Sequence, residues 1–175
     1  MTKTDWIFVQ QAKKGDSHAF ARLYEIIYQD LYHFALYTLK NPADAEDIVS
    51  ETVTDAFVQI GQLKKVESFK AWIFQILTNK CRKSLKNHPL SLEESIYLSD
   101  ASWQEPAAAE DGYLTPEIQD ELSQLSEPER RVITLSVFGG YTSREIPGIL
   151  KKREGSIRSI KSRALAKLRE KNADL

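Results

Sequence analysis

Residues 141–171 read YTSREIPGILKKREGSIRSIKSRALAKLREK, and this stretch decides how the C-terminal part of the chain folds. It predicts a short helix over 143–150, a turn over 151–155 and a second helix from Ser156, which is the layout of a helix-turn-helix. The second helix has two faces. One is apolar and is expected to pack on its domain: Ile157, Ile160, Ala164 and Leu168. The other combines arginine with small residues: Arg158, Ser159, Ser162, Arg163, Ala166 and Arg169.

The arginine face has two interpretations. Small residues would let the helix approach a major groove closely, and arginine can donate two hydrogen bonds to guanine. Alternatively, the face is simply solvated, as charged helix faces usually are. Residues 151–171 contain nine Lys and Arg residues and only two acids, Glu154 and Glu170. This excess of positive charge favours the DNA-binding interpretation.

Upstream, residues 42–60 (PADAEDIVSETVTDAFVQI) predict an amphipathic helix that starts at an Asn41 cap followed by Pro42. Its apolar side is expected in the core: Ala45, Val49, Val53, Ala56, Phe57 and Ile60. The other side is an acidic stripe of Asp44, Asp47, Glu51 and Asp55, in a segment without any Lys or Arg. Such a stripe repels itself and indicates a partner surface, although a solvated face is the ordinary alternative.

The helix that follows, predicted over 68–86, is basic on one side. Its apolar residues are expected in the core: Phe69, Trp72, Ile73, Ile76 and Leu77. Gln75, Thr78, Asn79, Arg82 and Lys86 form a polar stripe suited to phosphate and exposed bases. Trp72 could stack on a base, but its apolar neighbours favour core packing.

The chain as a whole is predicted to be all-α, with two small helical domains. Residues 1–86 form the first, residues 87–114 an acidic, flexible linker, and residues 115–175 the second. Extended, the linker would reach about 95 Å at about 3.3 Å per residue. The predicted helices cover 4–14, 16–39, 42–60, 68–86, 115–124, 127–139, 143–150 and 156–171, and no segment favours a strand.

Composition narrows the possible functions. The net charge of −1 hides two basic blocks, at 62–86 and 151–171, which are separated by acidic ones and suggest two nucleic-acid surfaces. One cysteine excludes an internal disulfide framework and fits a reducing cytoplasm. No membrane span or secretory signal is visible. The three histidines are scattered, so neither a metal site nor a cofactor is expected.

Two groups of motifs resemble one family. A-F--LY--IY--LY-FAL, DAEDIVSET and SF-AWIFQI--N resemble the polymerase-binding and −10-reading domain of RNA polymerase sigma factors. EI--IL----GSIRS---RAL-KLR is similar to the C-terminal helix-turn-helix of the same family. With only these two domains, sigma regions 2 and 4, the chain resembles the extracytoplasmic function group.

The resemblance implies roles for individual residues. Polymerase binding, through docking on the β′ clamp helices, would fall to Asp44, Asp47, Ser50 and Glu51. Contacts with the −10 element would come from Lys64, Lys65, Gln75, Asn79, Arg82 and Lys86, with a flipped-out base held by the loop 62–68. The −35 element would be read by Arg158, Ser159, Ser162 and Arg163. No residue would be catalytic.

The same resemblance implies partners: core RNA polymerase through its β′ clamp and β flap, promoter DNA, and an anti-sigma factor of a kind that can be membrane-anchored. Two positions depart from the family pattern. Pro147 stands where alanine is usual and would remove a helix hydrogen bond, so the first helix of the motif could start later. Lys83 stands where relatives usually have Asp.

Two other functions would each explain part of the sequence. A helix-turn-helix regulator that binds duplex DNA by itself would explain 141–171, but it would not need an acidic helix followed by a basic one at 42–86. A nuclease would need convergent carboxylates around a metal, whereas these acids lie along a single outward stripe.

Overall fold

The computed structural model describes residues 5–87 and 116–172, and in these ranges every regular element is helical. The helices are α1 (Asp5–Lys13), α2 (Ser17–Leu39), α3 (Pro42–Gln59), α4 (Phe69–Asn87), α5 (Pro116–Ser123), α6 (Glu127–Val137), α7 (Ile146–Leu150) and α8 (Glu154–Asn172). Two 3₁₀ turns, Ile60–Gln62 and Val66–Ser68, connect α3 to α4. The predicted all-α fold is confirmed. Of the predicted linker at 87–114, Asn87 is the last residue of α4 and the remainder lies outside the described residues.

Helix starts follow the capping signals in the sequence. The Asn41 side chain accepts a hydrogen bond from the Asp44 amide at 3.2 Å, and Pro42 occupies the first turn of α3. Ser126 and Glu129 form a capping box at α6, in which Glu129 Oε2 accepts from the Ser126 amide at 3.0 Å. Both predicted starts are confirmed.

The first helix of the helix-turn-helix begins three residues later than predicted. The Thr142–Glu145 box forms, with the Thr142 amide donating to Glu145 at 2.8 Å, but it closes a turn that precedes α7. Pro147 lies in the first turn of α7, where its missing N–H removes no helix hydrogen bond. The late start therefore accommodates the proline.

The N-terminal helices α1–α4 pack as a bundle, and α6, α7 and α8 pack together as the C-terminal unit. Phe34, Phe69 and Phe74 are among the largest fully buried side chains. The predicted core residues of α8 are confirmed, since Ile157, Ile160 and Ala164 are buried and Leu168 packs against them.

Four of the predicted core positions in α3 and α4 are less enclosed. Phe57 is 49% exposed and packs edge-on against Phe20, with ring centroids 5.1 Å apart, so its assignment to the core is wrong. It lies near the end of α3, where Phe20 of α2 contacts one side of its ring. Val53, Trp72 and Ile76 are half-buried at the edge of the core.

The two helical units also pack against each other, through α2 with α6 and α4 with α7. The Phe138 ring stacks on Tyr37, with centroids 5.1 Å apart and planes 7° apart, and Tyr141 meets Phe74 edge-on at 5.6 Å. Gly139 allows this approach, because an added Cβ would lie 2.5 Å from the Tyr141 ring. The sequence suggested two separate bodies; in the structure they share a continuous buried core.

Candidate protein-docking and nucleic-acid interfaces

The outward face of α3 carries the residues predicted to dock on a protein. Ala45, Val49 and Ala56 are fully buried and fix the rotation of the helix. Because of that rotation, one exposed surface contains Asp44, Asp47, Ser50 and Glu51, called the docking stripe below. The exposed Phe57 and Val58, which is 74% exposed, continue this helix toward its C-terminal end. The surface therefore combines carboxylates with accessible apolar area.

One feature of the docking stripe was missed in the sequence. The stripe was expected to have no basic neighbour within the chain, but Lys80 of α4 donates to Glu51 Oε2 at 3.0 Å. The same ammonium lies 2.9 Å from Asp55 Oδ2. That expectation is wrong because α3 and α4 pack side by side, which a charge count along the chain does not reveal.

The basic face of α4 is positioned by the opposite, apolar side of the helix. Phe69, Ile73 and Leu77 are buried, so the remaining face turns outward. Asn79, Arg82 and Lys86 are exposed and Gln75 is half-buried. Lys64 and Lys65 are exposed in the segment between the two 3₁₀ turns. All six predicted −10 residues thus lie on α4 or in the segment that leads into it.

Thr78 does not belong to the exposed face. It is 4% exposed, and Phe74, one turn earlier, is fully buried against Tyr141. Lys70 is also engaged, because its ammonium lies 2.9 Å from Asp30 and 5.9 Å from the centre of the Phe74 ring. Phe74 was not assigned a role from the sequence, since its partner comes from the other end of the chain.

The second helix of the helix-turn-helix presents its arginine face to solvent. Arg158, Ser159, Ser162 and Arg163 are all exposed. Arg158 also reaches Glu154 at 2.8 Å, but both side chains are largely exposed, and such surface pairs contribute little. The four residues predicted to read DNA are therefore accessible on one helix.

Lys167, on the flank of α8, has a structural partner. Its ammonium lies 2.8 Å from Glu129 Oε2, and the Glu129 side chain is only 8% exposed. The hydrogen bond from Lys167, together with those from Ser126, lowers the pKa of Glu129 to about 2. Lys167 therefore joins α8 to α6.

In residues 5–87 and 116–172, no group of three or more His, Cys, Asp or Glu side chains is arranged to hold a metal ion. Within the same ranges, no helix is both long enough and apolar enough to cross a membrane.

Comparison with known families gives two matches. Residues 23–88 match the model of Sigma-70 region 2, and residues 122–170 match that of Sigma-70, region 4. The first match contains α3, α4 and most of α2, and the second contains α6, α7 and most of α8. Each exposed face described above therefore falls inside a matched segment.

Two curated relatives share 28% identity with the chain. For the ECF RNA polymerase sigma factor SigW of Bacillus subtilis (strain 168), the alignment covers 95% of this chain and 96% of the relative. For the ECF RNA polymerase sigma factor BldN of Streptomyces coelicolor, it covers 91% of this chain but only 62% of the relative. The chain thus spans less than two thirds of BldN and nearly all of SigW.

Solved structures agree with the fold. The structure of CnrH in complex with the cytosolic domain of CnrY superposes with a TM-score of 0.72 at 23% identity, covering 98% of this chain and 99% of the other. The sigma factor RpoE in complex with the anti-sigma factor NepR, from Bartonella quintana, gives a TM-score of 0.68 at 26% identity, covering 86% and 94%.

Proposed function

The chain belongs to the sigma-70 family, in its extracytoplasmic function group, and from this premise we propose that it binds core RNA polymerase and directs initiation at promoters with a −10 and a −35 element. The observation that best supports this function is that the N-terminal bundle exposes both the acidic docking stripe and the basic face of α4, while the C-terminal unit exposes the arginine face of its helix-turn-helix. We divide the chain into region 2 at 1–86, a linker at 87–114 and region 4 at 115–175. Its role is recognition, with no catalytic residue assigned.

Docking on polymerase is assigned to Asp44, Asp47, Ser50 and Glu51, with the β′ clamp helices as the partner. Exposed carboxylates along one helix suit a basic helical surface, and the complementary charges would steer the encounter. Phe57 and Val58 extend the contact with apolar area, which is the kind of surface that a specific interface buries.

Recognition of the −10 element is assigned to Lys64, Lys65, Gln75, Asn79, Arg82 and Lys86. The cations would follow the phosphates and the amides would contact exposed base edges. The loop 62–68 would hold an extruded base. Unstacking a base costs a few kcal/mol, so the extruded base needs a protein pocket that binds it.

Recognition of the −35 element is assigned to Arg158, Ser159, Ser162 and Arg163. Their exposure along one side of α8 suits entry into the major groove, where base edges carry a distinct pattern of donors and acceptors. On the same unit, Val137 is 58% and Leu165 36% exposed, and we assign this apolar area to the β flap.

An anti-sigma protein is proposed as a further partner, because two structural neighbours were solved as complexes with CnrY and with the anti-sigma factor NepR. We place the chain in the cytoplasm, where core polymerase and the promoter are found. The alternative, a regulator that binds duplex DNA alone, is not favoured, since it gives the docking stripe no role.

Simultaneous use of both promoter elements requires the two units to separate. In the structure α4 packs on α7, and α7 packs on α8. At about 10 Å per packed pair, the two DNA-binding helices are at most about 20 Å apart where they pack on α7. The −10 and −35 elements are separated by more than two turns of duplex, about 70 Å. We therefore take the packed arrangement to be the polymerase-free state.

The direct test is reconstitution. Purified chain is added to core polymerase and a promoter library, and transcript starts are sequenced. We expect starts at a defined set of promoters that share two elements, and none with either component alone. Tight binding of the chain to duplex promoter DNA, with no association with polymerase, would support the regulator instead.

A further inference from the structure

Lys80 connects two surfaces that the proposed function uses separately. It belongs to α4, next to Asn79 of the −10 face, but its ammonium lies 3.0 Å from Glu51 and 2.9 Å from Asp55 on α3. The Lys80 side chain is 21% exposed, against 62% for Glu51 and 45% for Asp55. A protein that approaches the docking stripe therefore meets one carboxylate of the stripe, Glu51, that is already paired with an internal cation.

The geometry explains why the lysine is held there. Glu51 and Asp55 are four residues apart on one helix, so their like charges repel each other, and Lys80 offsets this repulsion. Burial acts to lower the pKa of Lys80, but hydrogen bonds to Asp55 and Glu51 outweigh it and raise that pKa above its usual value. The lysine is therefore charged at neutral pH.

We propose that Lys80 attenuates the docking of this chain on core RNA polymerase. The inference rests on the proposed function. A basic partner must either bring its own cations close to Lys80 or displace Lys80 from the carboxylates. Both reduce the favourable binding free energy that the partner obtains by pairing with Glu51. The internal cation keeps the affinity of the docking stripe below the value that its carboxylates alone would give.

The size of the effect follows from the charges. Removing one positive charge about 6 Å from incoming cations, at the boundary between protein and water, should strengthen binding by roughly three- to tenfold. The change should appear mainly in the association rate and should shrink as salt is added, because charges at the rim of an interface act through long-range, screened forces.

The test compares two methionine variants of the intact chain. Lys80→Met keeps most of the aliphatic stem and removes the charge. Lys83→Met makes the same change of charge at an exposed position on the same helix. Dissociation constants for core polymerase are measured at about 0.05 M and about 0.3 M salt. We expect three- to tenfold tighter binding for Lys80→Met at low salt, a smaller difference at high salt, and binding within twofold of the original for Lys83→Met.

A third variant restores the charge. In the Lys80→Met background, Asp55→Asn returns the net charge to its original value and should bring the affinity back toward that of the unmodified chain. Circular dichroism checks that each variant is folded, and Lys80→Gln replaces Lys80→Met if the latter is not.

The outcomes distinguish a failure of this inference from a failure of the proposed function. If the unmodified chain fails to bind core polymerase, the proposed function fails. If it binds, but folded Lys80→Met binds no tighter, only the attenuating role of Lys80 is overturned. An equal gain in Lys83→Met would also overturn it, because the effect would then reflect net charge alone.

Discussion

At the scale of single residues, specificity should reside in the exposed arginines of α8. Losing an arginine that pairs with guanine typically costs about 1–3 kcal/mol and relaxes preference at one base position. Arg158→Ala and Arg163→Ala should therefore each change which −35 sequences are used. Lys152 lies in the exposed turn before α8. Lys152→Ala should weaken binding to all −35 sequences alike, and it should reduce the slope of the logarithm of the binding constant against the logarithm of salt concentration by about one unit.

Transcription from a randomised −35 library, with each variant at two salt concentrations, measures these effects. If the arginine variants lose activity evenly across the library, α8 only clamps the phosphate backbone and the assigned reading face is wrong.

The Glu129–Lys167 pair gives a pH-dependent contribution to stability. The pKa of Glu129 is depressed to about 2 from an ordinary value of 4.5, so the pair stabilises the fold above pH 4.5 and this stability is lost as pH falls toward 2. Because Lys167 is half exposed, Lys167→Met should cost only about 1 kcal/mol at pH 7. Denaturant unfolding at pH 7 and near pH 2.5 measures this cost.

The difference between Lys167→Met and the original chain should narrow as the pH falls between those two values. Lys152→Met, a solvent-exposed lysine in the turn before α8, serves as the control and should show no such trend. A Lys167→Met cost that is unchanged at low pH would show that the lysine stabilises through its stem rather than its charge.

Residue roles could be predicted where they depend on helical spacing. The burial of Ala45, Val49 and Ile157 follows from spacing along one helix, and the structure confirms it. Lys80 and Lys167 could not be assigned, because each pairs with a carboxylate on a different helix, 29 and 38 residues away. Such pairs depend on how helices pack, which local pattern does not determine.

At the scale of helices, the existence and order of the elements could be read from the sequence, and their ends depended on particular residues. Asn41–Pro42 fixes the start of α3. By contrast, the capping box at Thr142 does not start α7, because Pro147 is accommodated best in the first helical turn. A capping signal therefore gives a helix start only when the residues after it can continue the helix.

The docking stripe allows an element-scale prediction. Asp44→Lys with Asp47→Lys reverses two exposed charges on α3 that lie outside the Lys80 contact, so the fold should change little, by about 0.5 kcal/mol per substitution. Polymerase association, measured by co-purification and by anisotropy, should be lost while the melting temperature is nearly unchanged. Glu121→Lys on α5 reverses one charge away from α3 as a control and should leave polymerase association intact. Retained transcription by the double variant would refute the docking assignment.

At the scale of the whole molecule, the contact between the two units combines stabilising and destabilising interactions. Aromatic stacking of Tyr37 on Phe138 favours it. Against it, the Tyr141 hydroxyl and Arg131 Nε are buried and have no hydrogen-bond partner among the described residues, and such groups cost about 1–3 kcal/mol each. Burial and the neighbouring Arg130 both lower the pKa of Lys40, which indicates like charges across the contact. The contact can therefore hold the free chain closed and still yield to polymerase.

The last prediction tests this opening. Tyr37→Cys with Phe138→Cys places two thiols where the stacked rings now meet, so that a short reducible cross-linker can hold the units together. Cys81 should not interfere, because it is fully buried and burial raises the pKa of its thiol to about 12. The cross-linked chain should still bind core polymerase through the docking stripe, but it should not initiate at promoters that need both elements, and reduction should restore initiation. Either single-cysteine variant, treated in the same way, should remain active. If the cross-linked chain initiates as well as the reduced one, the packed arrangement is compatible with promoter binding and separation of the units is not required.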